Sequence, residues 1–355
     1  MKSKKTQLKA EEDKLENKWF KIKVDKSCGG IKSIYDKQME RELLDTSKYL
    51  GNELICQTHD GDLEGMLNLK KDIWGMKDYK CPPPKIEIGE VFASIKFKGG
   101  FKGGEREQTV SLYNDFKRID FETKINLKES GILLKVRFPL SLRNFKIYYE
   151  TPYAVIERDK GHFAAQNWVS CQGGSYGVAL INTGNPGYWI EGNNLDLVLL
   201  WSVNQVRPPK SYDAPLAEEL GEHIFKYSLY PYQGDWQEAK VVQRGMEINN
   251  PLMGIVNQKC QGGSLPFSKS FVKVEPDNFI LTVLKKAEDG NDIILRGYET
   301  QGKDSEVKIY LDFPIKEVWK TNLLEEREER LKLADNVISF PCKKFEIVTI
   351  RLRRD

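Results

Sequence analysis

The chain has 355 residues, 40% hydrophobic and 30% charged, with a net charge of +3 from 55 basic and 52 acidic side chains. So even a balance leaves no basic footprint for nucleic acid, and no window reaches the roughly 20 apolar residues of a membrane helix. A chain of this length buries roughly 75% of its unfolded surface, so it needs no covalent staples and has room for two domains.

The six cysteines, Cys28, Cys56, Cys81, Cys171, Cys260 and Cys342, are dispersed and form no C-x-x-C pair. Their spacing therefore offers neither a zinc knuckle nor a redox couple, and they read as small buried hydrophobes. Residues 1–18 carry no apolar core of a secretory signal. Free thiols and the missing signal together predict a reducing, cytoplasmic setting.

Residues 1–16 are charged and predict a flexible, frayed or loosely helical segment. From Trp19 the period changes to two. Phe20, Ile22 and Val24 share one face, Asp25–Gly30 supplies a turn, and Ile31–Asp36 returns as the second arm of a hairpin. Residues 57–84, with Asp60, Asp62, Asp72, Trp74 and Pro82–Pro84, predict a long surface loop. Strands resume at Lys85–Phe97 and turn at Gly99–Gly104. Gln108–Tyr113 and Arg118–Ile125 alternate one apolar and one wet face. Leu133–Leu140 and Phe145–Tyr149 continue the meander, and residues 176–201 give three more strands. Of these, Leu195–Trp201 is nearly all apolar, as in the middle of a sandwich. A Pro-rich loop at 202–221 precedes the strand Phe225–Tyr230. One helix is expected, capped by Asp235 with Glu238 at capping-box spacing and ended by Asn249-Asn250-Pro251. Beyond a Gly-rich link the period returns to two in Phe279–Lys285, Asp292–Tyr298, Val307–Leu311 and Phe345–Leu352, and the charge pattern of Leu323–Ala334 suggests a short helix. The pattern predicts an all-β chain: a flexible segment 1–16, a large domain 17–264 and a smaller sandwich 265–355.

Chemistry is sparse. The three histidines, His59, His162 and His223, make no pair at metal-ligand spacing. His59, beside Asp60 and Asp62, is the best placed for a ligand or acid-base role. Glu150 and Glu157 are the most suggestive carboxylates; an ion pair or solvation of Glu157 and Arg158 is the plainer reading. The glycines at 99–104 and 173–177 lack the Lys-Ser/Thr ending of a phosphate loop. Aromatic residues at loops and strand ends remain: Trp74, Trp168, Tyr188, Trp189 and Trp201. Sugar C–H faces stack on such rings, whereas core packing is their commoner use. The expected substrate-binding set is Trp74, Tyr188, Trp189 and Trp201, with no catalytic and no metal-binding residue.

Several stretches in order carry a family resemblance. They are Gly29–Asp36, Gly51–Leu54, Arg118–Thr123, Pro152–Arg158, Tyr176–Asn182, Tyr230-Pro231 with Gly234–Trp236, and Leu284–Gly290 followed by Thr321–Glu326. Together they resemble the C-terminal half of glycoside hydrolase family 38, the α-mannosidases, from about Glu16 to Leu352. The resemblance implies a large mutarotase-like β-supersandwich followed by a smaller β-sandwich. It also implies a mannoside as the carbohydrate partner and a catalytic α/β barrel, carrying zinc and an Asp nucleophile, that is not part of this chain. No catalytic residue carries over, and no cofactor is implied within the chain itself. Bacterial members often have Arg where this chain has Trp201. Two other functions fit the residues: a stand-alone carbohydrate-binding module, or a mutarotase-like epimerase with His162 or His223 as general acid.

Overall fold

The computed structural model describes residues 6–59, 69, 73–203, 218–256 and 262–354. Contacts divide the chain into two compact units, Met1–Tyr149 with Glu157–Asn250, and Glu150–Ile156 with Pro251–Asp355. Both are built of antiparallel strands, as the alternating pattern predicts.

The larger unit begins with a five-stranded sheet. The expected hairpin is present as Phe20–Val24 paired with Ile31–Asp36, with Phe20, Ile22 and Val24 buried and Lys21 and Lys23 exposed. Gly29 sits at φ +77° under Phe97, where a Cβ would lie 2.7 Å from the ring, so no larger residue fits this turn. Residues 9–16 correct the expectation of a frayed start. Lys9–Glu11 and Lys14–Glu16 form a second hairpin that adds to the first. The fully buried Leu15 and the buried Leu8 just before the first strand anchor it, while the lysines and glutamates that make the segment look disordered are exposed or half-buried.

Two larger sheets make the sandwich. One has nine strands and includes Gly104–Tyr113, Ile119–Leu127, Tyr176–Asn182 and the long Gly221–Gln233. The other has six, in the order Gly161–Ala164, Gly187–Glu191, Asn194–Ser202, Ile132–Pro139, Glu53–Thr58, Ile73–Gly75. Their inner faces interlock. Phe138 from the six-stranded sheet meets Phe121 and Tyr227 of the other at ring-centroid distances of 5.3 and 6.4 Å.

The helix is shorter than expected and runs Val241–Asn249. Asp235 does cap, accepting the Glu238 N–H at 2.7 Å, but it caps a separate turn. Lys240 then takes the left-handed conformation, and the helix starts after it.

The smaller unit packs a four-stranded sheet and a five-stranded sheet around Leu295, Val307, Ile309, Ile338, Phe340, Val348 and Ile350. The expected strands at 279–285, 292–298, 307–311 and 345–352 are all there. The expected helix at 323–334 is not. Arg327–Arg330 and Lys332–Ala334 are edge strands of the two different sheets. Alternating charges protect an exposed strand edge as readily as they decorate a helix, so that pattern alone does not distinguish the two. Glu299, fully buried, holds the next turn by accepting the backbone N–H groups of Gln301, Gly302, Lys303 and Phe345 at 2.7–3.1 Å.

Candidate functional site

The strand Ile132–Pro139 defines the site. Its pleat sends Leu134, Val136 and Phe138 into the sandwich and Leu133, Lys135 and Arg137 to the outer face of the six-stranded sheet. An outer face of an antiparallel sandwich is ordinarily wet. Here Lys135 is 2% exposed and Arg137 3%, and Asp196 opposite Arg137 is fully buried. The register continues this row across the sheet: Trp189 lies opposite Asp196, His162 opposite Trp189, and Glu53 on the far side of Arg137.

The row is an ion network wrapped in aromatic rings. Arg137 donates two hydrogen bonds to Asp196, Nε to Oδ1 at 2.8 Å and Nη2 to Oδ2 at 2.7 Å. Lys135 Nζ approaches the same Oδ2 at 3.2 Å. The Lys135 ammonium also lies 3.9 Å from the centre of the Trp189 ring, and the His162 ring lies 3.2 Å from that ring. Tyr49 covers the Arg137 guanidinium at 4.4 Å. Glu53 accepts the Leu50 N–H at 2.6 Å and faces Lys77 at 3.8 Å. Gly75 leaves room for that carboxylate, since a Cβ there would lie within 2.3 Å of Glu53 Oε1.

Burial sets the proton affinities. It pushes Lys135 below the ordinary lysine value, against the opposing pull of Asp196. Burial also works against the charge of Arg137, but its bonds to Asp196 outweigh this and hold it above the usual value. Glu53 is raised by burial, partly offset by the Leu50 N–H and Lys77. His162 is lowered, first by burial and then by the nearby Lys135.

A β-bulge decides where Trp201 goes. Leu134 pairs with Leu200 and Lys135 with Val198, so Leu199 is the extra residue. Past the bulge Trp201 faces outward, opposite Leu133, on the same face as Trp189. Its Nε1 lies 3.0 Å from His59 Nε2, with the two rings edge to face at 5.9 Å. His59 is itself buried, its Nε2 also 2.8 Å from the Ser202 carbonyl.

The sheet therefore sorts the aromatic residues singled out by sequence. Trp189 and Trp201 share the outer face, both half-buried. Trp74 pairs with Cys56 and so sits at the edge of the inner side, under Lys102 at 4.5 Å. Tyr188 is 1% exposed; its hydroxyl donates to the Leu180 carbonyl at 3.1 Å and accepts from Asn182 at 2.9 Å. It is a core residue with its polar end satisfied, as is fitting for a buried tyrosine, and does not reach the surface. Trp168 is fully buried against Trp236.

The other sequence candidates do not converge. His223 belongs to the nine-stranded sheet, stacked on Phe225 with Nε2 2.7 Å from the Glu219 carbonyl, whereas His162 is in the six-stranded sheet. Glu157 is exposed and pairs with Lys146 at 3.0 Å, the plainer of its two readings. Asp60, Asp62 and Asp72 lie outside the described residues. Among the described residues no three His, Cys, Asp or Glu side chains gather as a metal site. The described residues do not fit a zinc ion. Lys135, Arg137 and Asp196 are the residues that sequence reasoning missed. The signal was a lone Asp in the otherwise apolar Leu195–Trp201 and two cations alternating with Leu134, Val136 and Phe138.

The fold is of the class of antiparallel β-sandwiches, with half-buried tryptophans beside buried ions on the outer face of the six-stranded sheet. The sequence places it within that class: residues 15–205 match the model of the glycosyl hydrolases family 38 C-terminal domain, and residues 278–350 match that of the family 38 C-terminal beta sandwich domain. The chain belongs to this family. It is 28% identical over 360 residues to alpha-mannosidase G of Dictyostelium discoideum, covering 95% of this chain and 32% of that protein. It is 26% identical over 308 residues to alpha-mannosidase 2C1 of Mus musculus, covering 79% of this chain and 29% of that one. The crystal structure of an alpha-mannosidase from Enterococcus faecalis V583 superimposes with a TM-score of 0.82 at 18% identity, over 97% of this chain and 42% of that one. The chain thus spans about a third of the length of the curated relatives it matches, and the two-sandwich fold expected from the resemblance is the fold it has.

Proposed function

We propose that the chain acts as the C-terminal part of an α-mannosidase-like glycoside hydrolase. The outer face of its six-stranded sheet lines the sugar cleft of a catalytic barrel carried on another stretch of polypeptide. Zinc and the nucleophilic Asp belong to that barrel, and the chain alone does not cleave mannosides. The observation that carries this reading is the alignment itself: 95% of the chain falls within one third of a mannosidase. Surface chemistry supports it. Leu252, Met253, Ile255 and Val256 are each at least 92% exposed, and Phe267 is fully so. These apolar side chains pack against no described residue, and cover by another protein part would bury them. The five described cysteines are free thiols, and no described helix is long and apolar enough to cross a membrane; a reducing cytoplasm fits these thiols.

The test is complementation. The purified chain, supplied with zinc, is assayed on an aryl α-mannoside alone and after mixing with the barrel portion of an α-mannosidase. No turnover alone and turnover after mixing are expected. Turnover by the chain alone, free of contaminants, overturns the reading.

One observation favours a second reading, that of a carbohydrate-binding module: Trp189 and Trp201 share a face. Mannan titration followed by tryptophan fluorescence separates the two, because a module binds the polymer without any barrel.

A further inference from the structure

Cys81 is the one cysteine among the described residues that is not buried. Gly99 makes room for its sulfur, since a Cβ there would lie 2.9 Å away. Arg106, 3% exposed, donates from Nη2 to that sulfur at 3.4 Å. The other acceptors of this guanidinium are the Gly100 and Cys28 carbonyls, at 3.2 and 2.7 Å, and Gln108 Oε1 at 2.7 Å. Of these atoms only the Cys81 sulfur can carry a negative charge, and an arginine held against a thiol is a recurring mark of reactive cysteines. Pro82, Gly99 and Arg106 also line an open cavity of about 600 Å³, which admits a small reagent.

A second thiol lies within reach. The Cys81 N–H is donated to the Ser27 carbonyl at 2.6 Å, and that carbonyl belongs to the peptide unit leading into Cys28. Backbone dimensions along this path hold the two Cα atoms within about 7 Å, the outer limit for a disulfide. Arg106 Nη2 serves both residues, the Cys28 carbonyl and the Cys81 sulfur, and so brings them to one spot. The other described thiols do not compete. Cys56, Cys171 and Cys342 are buried, and burial pushes Cys56 and Cys342 up to about 12. Burial also raises Cys28, which makes it the slower of the two partners.

We propose that Cys81 is a site of oxidative modification by small disulfides of the glutathione kind, and that Cys28 resolves the adduct into an internal Cys28–Cys81 bridge. In the first step the Cys81 sulfur, as thiolate, attacks one sulfur of glutathione disulfide. That S–S bond breaks, one glutathione thiolate leaves and a mixed disulfide forms on Cys81. In the second step Cys28 gives its proton to solvent, attacks the Cys81 sulfur and expels the second glutathione as thiolate. Two protein thiols are oxidised, and one small disulfide is reduced to two thiols. The bridge closes the chain between residues 28 and 81 into a loop that includes Glu53–Thr58 and Ile73–Gly75, two strands of the six-stranded sheet.

The experiment incubates the full chain with glutathione disulfide, quenches with iodoacetamide at intervals and maps the peptides by mass spectrometry. Wild type, Cys28→Ser and Cys81→Ser are compared. Free Cys81 is expected to disappear at least tenfold faster than Cys56, Cys171 and Cys342, first as a mixed disulfide and then as a peptide joined to that of Cys28. The second step should quicken as pH rises, because Cys28 reacts as its thiolate. Cys28→Ser should stop at the mixed disulfide, and Cys81→Ser should leave Cys28 reduced. Dithiothreitol should restore both thiols in the wild type. The bridged form should melt at least about 2 °C above the reduced one, since the closed loop restricts the unfolded chain, and neither variant should show that rise. Cys81 reacting no faster than the buried thiols overturns the proposal, as does a bridge from Cys81 to any other cysteine. A mixed disulfide that never resolves in the wild type overturns the bridge and leaves Cys81 as the modified residue.

Discussion

The two faces of the Ile132–Pro139 strand are equally buried and chemically opposite. Leu134, Val136 and Phe138 bury apolar surface against the second sheet, while Lys135 and Arg137 bury charge on the far side. The inner face follows from the hydrophobic effect alone. On the outer face the desolvation of each ion opposes folding, and only mutual pairing offsets it. One face is thus tolerant of any well-fitting apolar residue, whereas the other holds only while its partners are complete.

The sharpest way to break that contrast is to delete the shared anion. Asp196→Ala leaves Lys135 and Arg137 buried without a carboxylate, and a loss of about 3–5 kcal/mol is expected. Urea unfolding of the purified chain measures it; a loss below about 1 kcal/mol would show that the network is hydrated and that the two faces do not differ as argued. Leu134→Ala probes the other side of the strand. It opens a cavity in the core and should cost about 2–4 kcal/mol, with Leu134→Met costing under about 1.5 because volume is conserved. No conservative replacement is expected to spare Asp196 in the same way: Asp196→Asn keeps the shape and still loses the charge.

The sequence displays the inner face openly and the outer face hardly at all. Period-two runs at Phe20–Val24, Gln108–Tyr113 and Arg118–Ile125 mark strands because alternation is a local property of the chain. The order of breakers and strands also carries the family. Trp201 is different. Strict alternation groups it with Leu195, Leu197 and Leu199, and the bulge at Leu199 moves it to the side of Asp196. A bulge is chosen by pairing with the neighbouring strand, so it leaves little trace in a single segment. The ions escape for a related reason. Lys135 and Arg137 sit where a wet face is expected, and only tertiary cover converts them from solvated side chains into a buried network. Tyr188, one of the four proposed sugar contacts, ended in the core because loop proximity in sequence does not report which way a strand residue points.

The pH response sharpens the comparison further, at smaller amplitude. Burial raises the proton affinity of Glu53, so the folded state retains a proton that the unfolded state has already released. Stability contributed by this group is present below the ordinary glutamate value of 4.5 and falls as pH rises through the interval up to its folded value. Glu53→Gln removes that interval. The difference in stability between the two proteins, followed by urea midpoints from pH 4 upward, should therefore shift in favour of the variant as pH rises. A difference that stays flat would mean the carboxylate is as well solvated folded as unfolded.

The weakest expected effect lies on the nine-stranded sheet, where a carboxylate is paired at the surface instead of in the interior. Glu107 faces Lys96 at 2.8 Å and Lys98 at 2.9 Å, and hydrogen bonds from both lysines hold its carboxyl at about 2. The sign is opposite to that of Glu53: its contribution is complete above the ordinary 4.5 and is lost as pH falls from there toward about 2. Its size is also different. Lys98 is 70% exposed, water and salt screen the pair, and an exposed ion pair is worth under about 1 kcal/mol however low its carboxyl titrates. Glu107→Gln should accordingly change the urea midpoint little at neutral pH and even less in high salt, while Asp196→Ala keeps its full cost in the same salt. Salt insensitivity of a buried network beside salt sensitivity of a surface pair is the expected pattern, because screening ions reach only charges that water reaches.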